Sequence, residues 1–257
     1  MHARPREDEG TGGQMRQGEQ STLSRPSLSA RVAAWMVHAL TASGAVLGML
    51  AIVELYEKDY VYFFFMLILA TLIDACDGAL ARWFQVKIVL PNFDGALLDN
   101  IVDYFTYVLV PALFLFESGV LPAGSEFIVM TVMALSSGYQ FCQSDAKTED
   151  HYFKGWPSYW NIVALYFFLL DTPPIMNFGI VLICGVLVFV PIKYLYPSRT
   201  KRYRGVTLGL TAVWGGLLLV ALLQYPAGGR ALVWCSLIYV VFYVVVSIRM
   251  TFATKPA

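Results

Sequence analysis

From residue 32 onward the chain is a succession of apolar runs, several long enough to cross a bilayer, separated by short polar breaks. No other feature constrains its fold as tightly. In hydrocarbon every backbone N–H and C=O needs a partner within the protein, so such runs fold as helices or as closed barrels. A spanning helix needs about 20 mostly apolar residues, whereas a barrel strand needs only about 10. The run lengths therefore predict an all-α polytopic membrane protein. Eight spans are expected, at 32–54, 60–81, 95–116, 126–143, 158–171, 175–196, 206–224 and 231–249. Composition agrees: 58% of residues are hydrophobic and 14% charged, against about a quarter charged in soluble domains. The formal net charge is zero, so nothing draws the chain toward nucleic acid.

Lys and Arg set the orientation, because they collect in cytosolic loops. An even number of spans puts both termini on one side. With the termini in the cytosol, the cytosolic loops are 82–94, 144–157 and 197–205. They hold Arg82, Lys87, Lys147, Lys154, Arg199, Lys201, Arg202 and Arg204. The opposite loops hold Lys58 and Arg230 with Glu54, Glu57, Asp59, Glu117 and Asp171. The cluster "PSRTKRYRG" is expected to anchor the chain near anionic lipid.

Residues 1–25, polar and rich in Gly, Gln and mixed charge, are expected to form a disordered cytosolic tail. Residues 26–257 form the membrane domain. Cys76, Cys142, Cys184 and Cys235 match no metal or redox spacing and are expected as buried free thiols. His2, His38 and His151 are scattered, and no P-loop, GxSxG or HExxH motif is present.

The polar exception is "LIDACDGALARWFQVKIVLPNFDGALLDNIVD", residues 72–103, with five aspartates. Asp74 and Asp77 are three apart and Asp99 and Asp103 four apart, so each pair shares a helix face. Spans two and three are consecutive and antiparallel, and the pairs can meet at one depth near the cytosolic face. A carboxylate at the centre of a membrane helix costs about 2.5–3.5 kcal/mol. Such a cluster is reasonable if divalent cations neutralise it, and an oxygen-only set suits magnesium, manganese or calcium. Metal–phosphate binding is therefore favoured. The alternatives are pairing with Arg82, which cannot neutralise four acids, and an ion or proton path in a secondary transporter, whose acids would lie nearer the midplane. Asp94 reads as the N-cap of the third span or as a polar neighbour of a ligand. Gly78, Ala81 and Gly95 leave room beside the acids, either for a ligand or for close helix packing.

The pattern Asp74-x-x-Asp77-Gly78-x-x-Ala81-Arg82 … Gly95-x-x-x-Asp99-x-x-x-Asp103 resembles the signature of the CDP-alcohol phosphotransferases. The 12 residues between Arg82 and Gly95 exceed the common spacing. That spacing, with "VHALTASGAVLGMLAI", "LVPALFLF" and "PSYWNIVALYFFL", is similar to the branch that makes phosphatidylcholine. The resemblance implies that CDP-diacylglycerol and choline give phosphatidylcholine and CMP, with the site at the cytosolic ends of helices 2 and 3. It implies Mn2+ or Mg2+, two ions, on Asp74, Asp77, Asp99 and Asp103, with Asp103 as general base. Asp74, Gly78, Ala81, Arg82 and Gly95 would bind CDP. It also implies a homodimer in a bacterial inner membrane. Serine, inositol or glycerol phosphate would use the same aspartates.

Choline's quaternary nitrogen offers no hydrogen bond and is typically held by aromatic faces. Tyr104 and Tyr107, beside Asp103, and the loop "EDHYFKGWPSYWN" with Tyr152, Trp156, Tyr159 and Trp160 supply such faces. Glu149 and Asp150 lie in the same loop. The competing explanation is that Trp and Tyr gather at membrane interfaces.

Overall fold

The computed structural model describes residues 26–145, 152–196 and 204–253. The expected tail 1–25 lies outside them, as do Lys147, Glu149, Asp150 and His151 of the third loop and Arg199, Lys201 and Arg202 of the basic loop. Helix α1 (Leu28–Tyr56) starts at Ser27, whose Oγ accepts from Ala30 N. Helix α2 (Tyr60–Trp83) starts at Asp59, whose carboxylate accepts from Tyr62 N. Each cap satisfies a donor the first turn would leave bare. After the short α3 (Val86–Val89), one continuous rod runs through α4 (Gly95–Asp103), a π-helical segment (Tyr104–Leu109) and α5 (Val110–Glu117). Then come α6 (Glu126–Cys142), β1 (Tyr152–Lys154), α7 (Trp160–Leu170), α8 (Pro174–Leu187), β2 (Lys193–Leu195), α9 (Arg204–Leu223) and α10 (Arg230–Ala253).

Each expected span contains a helix. Among the described residues, five helical segments are long and apolar enough to cross a membrane: Leu28–Tyr56, Tyr60–Trp83, Gly95–Glu117, Gly205–Leu223 and Arg230–Phe252. Helices α6, α7 and α8 are shorter, at 17, 11 and 14 residues. The sixth span, expected to 196, stops being helical at Leu187. Pro191 has no N–H with which to bond the Leu187 carbonyl, and Trp156 N donates to that carbonyl instead at 3.1 Å. The chain then turns into β2, which pairs antiparallel with β1, Phe153 opposite Tyr194. Among the described residues the fold is thus helical apart from this two-stranded sheet.

The core lies among α2, α5 and α7, where Phe63, Phe64, Phe114 and Phe168 pack ring on ring. The outer surface is apolar too: Val46, Val53, Ile183, Ile238 and Val241 are exposed, as expected where lipid is the solvent. The cysteines correct one expectation. All four are free, but Cys76, Cys142 and Cys235 are exposed and Cys184 is intermediate. In a bilayer an apolar side chain loses nothing by facing outward.

Helix α1 crosses the rod closely through two small residues. A Cβ at Gly44 would stand 2.8 Å from Val102 Cγ1, and one at Gly48 would stand 2.6 Å from the Phe105 ring. This contact sets the distance between α1 and the signature helices.

Candidate active site

Helix α2 carries Asp74 and Asp77, and α4 carries Asp99 and Asp103. At 1.5 Å per residue, Asp74 lies about 14 Å from the Trp83 end of α2, and Asp103 about 12 Å from the Gly95 end of α4. The acids are recessed between the helices, one to three turns from their ends. One oxygen each from Asp74, Asp99 and Asp103 lies within 4.8 Å of the others. Asp77 is outside that trio. It is buried, and its Oδ2 accepts a 2.7 Å hydrogen bond from Thr41 Oγ1 on α1.

Carboxylates this close repel one another by about 3 kcal/mol per pair at an effective dielectric of about 20. A hard divalent cation removes that cost, and an oxygen-only donor set matches magnesium or manganese. The residues therefore fit the ions that the aspartate pattern implies.

A cavity of about 550 Å³ opens beside the trio, lined by Asp74, Asp99, Asp103, Tyr107 and Tyr159 with Phe153 and Tyr196. Tyr107 owes its place to the π-helical segment. On an uninterrupted α-helix, two steps of four residues drift by about 80°, so Tyr107 would turn away from Asp99. The wider i→i+5 turns of a π-helix take back that drift. Tyr107 Oη donates to Asp74 Oδ2 at 2.7 Å. Tyr159 tilts beside Tyr107, ring centroids 6.1 Å apart. Phe153 on β1 meets Tyr159 edge-on and stacks on Tyr196 at 4.5 Å. Gln140 of α6 donates to Lys154 O at 3.1 Å and so ties β1 to the cavity wall. Asn161 of α7 donates to Thr71 Oγ1, one turn before Asp74, at 3.1 Å.

Among the rings considered for choline, the structure brings only Tyr107 and Tyr159 to the cavity. Tyr104 donates instead to Ala134 O at 2.9 Å. Trp160 is fully buried, its Nε1 donating to Ser137 Oγ at 2.7 Å, and Trp156 packs edge-on against it. Tyr152 is buried in the sheet under Lys193. Phe153 and Tyr196 had no signal of their own, because their neighbourhood depends on the β1–β2 pairing.

Asp94 is the expected N-cap, accepting from Ala96 N and Leu97 N at 3.1 and 3.0 Å. Gly95 meets the His38 ring, which would stand 2.5 Å from any Cβ there, so its smallness serves helix packing. Gly78 has more space, with Arg82 Nη1 as its near neighbour at 3.5 Å. Ala81 packs with Val86 and Leu90, and Arg82 is exposed. Lys154 pairs with Asp145 at 2.6 Å in solvent. That contact holds the Asp145 carboxyl below and the Lys154 ammonium above their usual ranges.

A helical membrane protein with this aspartate arrangement belongs to a known class. Residues 35–191 match the CDP-alcohol phosphatidyltransferase family, and the chain is a member of that family of enzymes. The family is metal-dependent in general. Among its relatives is a phosphatidylcholine synthase of Legionella pneumophila, 41% identical over 88% of this chain and 91% of its own. A phosphatidylcholine synthase of Pseudomonas aeruginosa is 41% identical over 76% of this chain and 82% of its own. One of Borreliella burgdorferi is 33% identical over 87% and 97%.

Proposed function

We propose that the protein transfers the phosphatidyl group of CDP-diacylglycerol to choline, giving phosphatidylcholine and CMP. The observation that carries this reading is the joining of two chemistries in one cavity. Three signature carboxylates converge at this cavity, and the rings of Tyr107, Tyr159, Phe153 and Tyr196 line it beside them. The names of the relatives above support the same reaction.

Choline is a cation, so the carboxylates attract it and the aromatic faces hold its trimethylammonium group. Asp103 takes the choline hydroxyl proton as the oxygen attacks phosphorus. The new O–P bond forms, and the bond from phosphorus to the CMP oxygen breaks in line. Two Mn2+ or Mg2+ ions on Asp74, Asp77, Asp99 and Asp103 would neutralise charge on the pyrophosphate. Asp74, Gly78, Ala81, Arg82 and Gly95 would shape the CDP site. We read all eight helical segments as spans, with both termini and the cavity mouth on the cytosolic side of a bacterial inner membrane. There the nucleotide of a leaflet-anchored substrate projects into water. The family resemblance also points to a homodimer.

The test uses purified protein in lipid nanodiscs with CDP-diacylglycerol and Mn2+, and labelled choline, serine, inositol or glycerol phosphate in turn. Phosphatidylcholine and CMP should form with choline alone. Chelation should stop both, and Asp103→Asn should cut the rate about 100- to 10,000-fold. Product from another acceptor would overturn the choline assignment and leave the phosphotransfer site standing.

A further inference from the structure

We infer that Thr41 and Tyr107, two hydroxyl residues outside the aspartate signature, are positioning residues that fix the first two signature carboxylates. The inference rests on the proposed metal role of those aspartates. Thr41 is buried on α1, and its Oγ1 lies 3.3 Å from Val37 O but 2.7 Å from Asp77 Oδ2. A hydroxyl has one proton to give, and the shorter bond to a carboxylate takes it. Tyr107 is buried on the π-helical segment and gives its proton to Asp74 Oδ2, also at 2.7 Å. Asp74 and Asp77 thus each have one oxygen held by a hydroxyl from a different neighbouring element.

An aspartate side chain turns about two bonds, and a carboxylate that grips a cation must give up that freedom. A hydroxyl on one oxygen removes it in advance and aims the carboxylate, as outer-shell donors do for metal ligands. The arrangement also accounts for two features of the fold. Apart from His38, the buried face of α1 otherwise consists of small or apolar groups, including Ala34, Val37, Gly44, Gly48 and Ala51. A buried threonine there, one turn after His38, has its partner in Asp77. The π-helical segment, in turn, is what brings the Tyr107 phenol into line with Asp99 and Asp103.

The experiment separates the hydroxyls from the side chains that carry them. Thr41→Val keeps the shape and Tyr107→Phe keeps the ring. Thr41→Ser keeps the hydroxyl. Mn2+ binding to each variant in nanodiscs, without nucleotide, is read by electron paramagnetic resonance of the free ion. Thermal unfolding without metal and the choline KM are measured beside it. Thr41→Val and Tyr107→Phe should each weaken Mn2+ binding about 10- to 100-fold. Thr41→Ser should stay near the parent. If Thr41→Val does not fold, Tyr107→Phe decides for its own half and Thr41→Ala for the other. Unchanged Mn2+ binding in both variants, with loss in Asp103→Asn, overturns the inference and spares the metal reading. Unchanged binding in Asp103→Asn as well overturns the metal reading itself.

Discussion

Tyr159 and Trp160 are chain neighbours with opposite surroundings. Tyr159 lines the cavity beside Tyr107, while Trp160 is fully buried with its indole N–H on Ser137. Their substitutions should therefore fail differently. Tyr159→Ala removes one aromatic face from a cation, worth about 1–2 kcal/mol, and should raise the choline KM about 5- to 30-fold with little change in unfolding temperature. Trp160→Ala empties a core position and should cost about 3–5 kcal/mol of stability. Steady-state rates against choline, read with thermal unfolding in detergent, check both. A Trp160 variant of full stability with a raised choline KM would place the wall on the wrong ring. The loop between 149 and 161 is rich in rings, but its sequence has no period that separates cavity from core. Four aspartates were expected to converge: Asp99 and Asp103, four apart, share a face and meet Asp74, whereas Asp77, three residues after Asp74, stands outside the trio and bonds Thr41. The bond from Thr41 to Asp77 was not legible, because the partners stand 36 residues apart and meet only when α1 packs on α2.

At the scale of elements, α1 sets the site by lying against the rod. Gly48→Ala would put a Cβ 2.6 Å from the Phe105 ring, and overpacking of this kind costs about 1–3 kcal/mol. The unfolding temperature should fall, and shortening the ring with Phe105→Leu should recover part of the loss. A loss in the double variant equal to the sum of the two single losses would mean that the two residues are not coupled. The helices themselves were readable from apolar run length, and the start of α4 from its capping aspartate, Asp94. Three elements were not. The π-helical segment leaves no mark in "YFTYVL", because its extra width is a matter of register. Strands β1 and β2 are three residues each, too short for alternation to show. Helix α8 ends early at a proline that run length alone passes over. The π-helical segment and the strands shape the cavity: the first aims Tyr107, and the strands carry Phe153 and lead into Tyr196.

For the whole molecule the open matter is which way the cavity faces. Helices α1 and α2 form a hairpin, so the Leu28 end of α1, the Trp83 end of α2 and the Gly95 end of α4 lie on one side and Lys58 on the other. The excess of Lys and Arg in the loops 82–94, 144–157 and 197–205 predicts that the first side faces the cytosol. Ser144 lines the cavity, and Lys58 sits in the turn between α1 and α2. In a background with all four native cysteines replaced, Ser144→Cys should react with a membrane-impermeant maleimide only in inside-out vesicles. Lys58→Cys should react only in intact spheroplasts. The reverse pattern would turn the protein over in the membrane, and the cavity would then open away from the cytosolic nucleotide. Labelling of both sites from both sides would mean that the charge asymmetry does not choose a single orientation. The predicted pattern would connect depth to chemistry. The acids lie about 6–14 Å inside the helix ends, so in the proposed orientation a lipid-anchored pyrophosphate would reach them by dipping below the cytosolic interface.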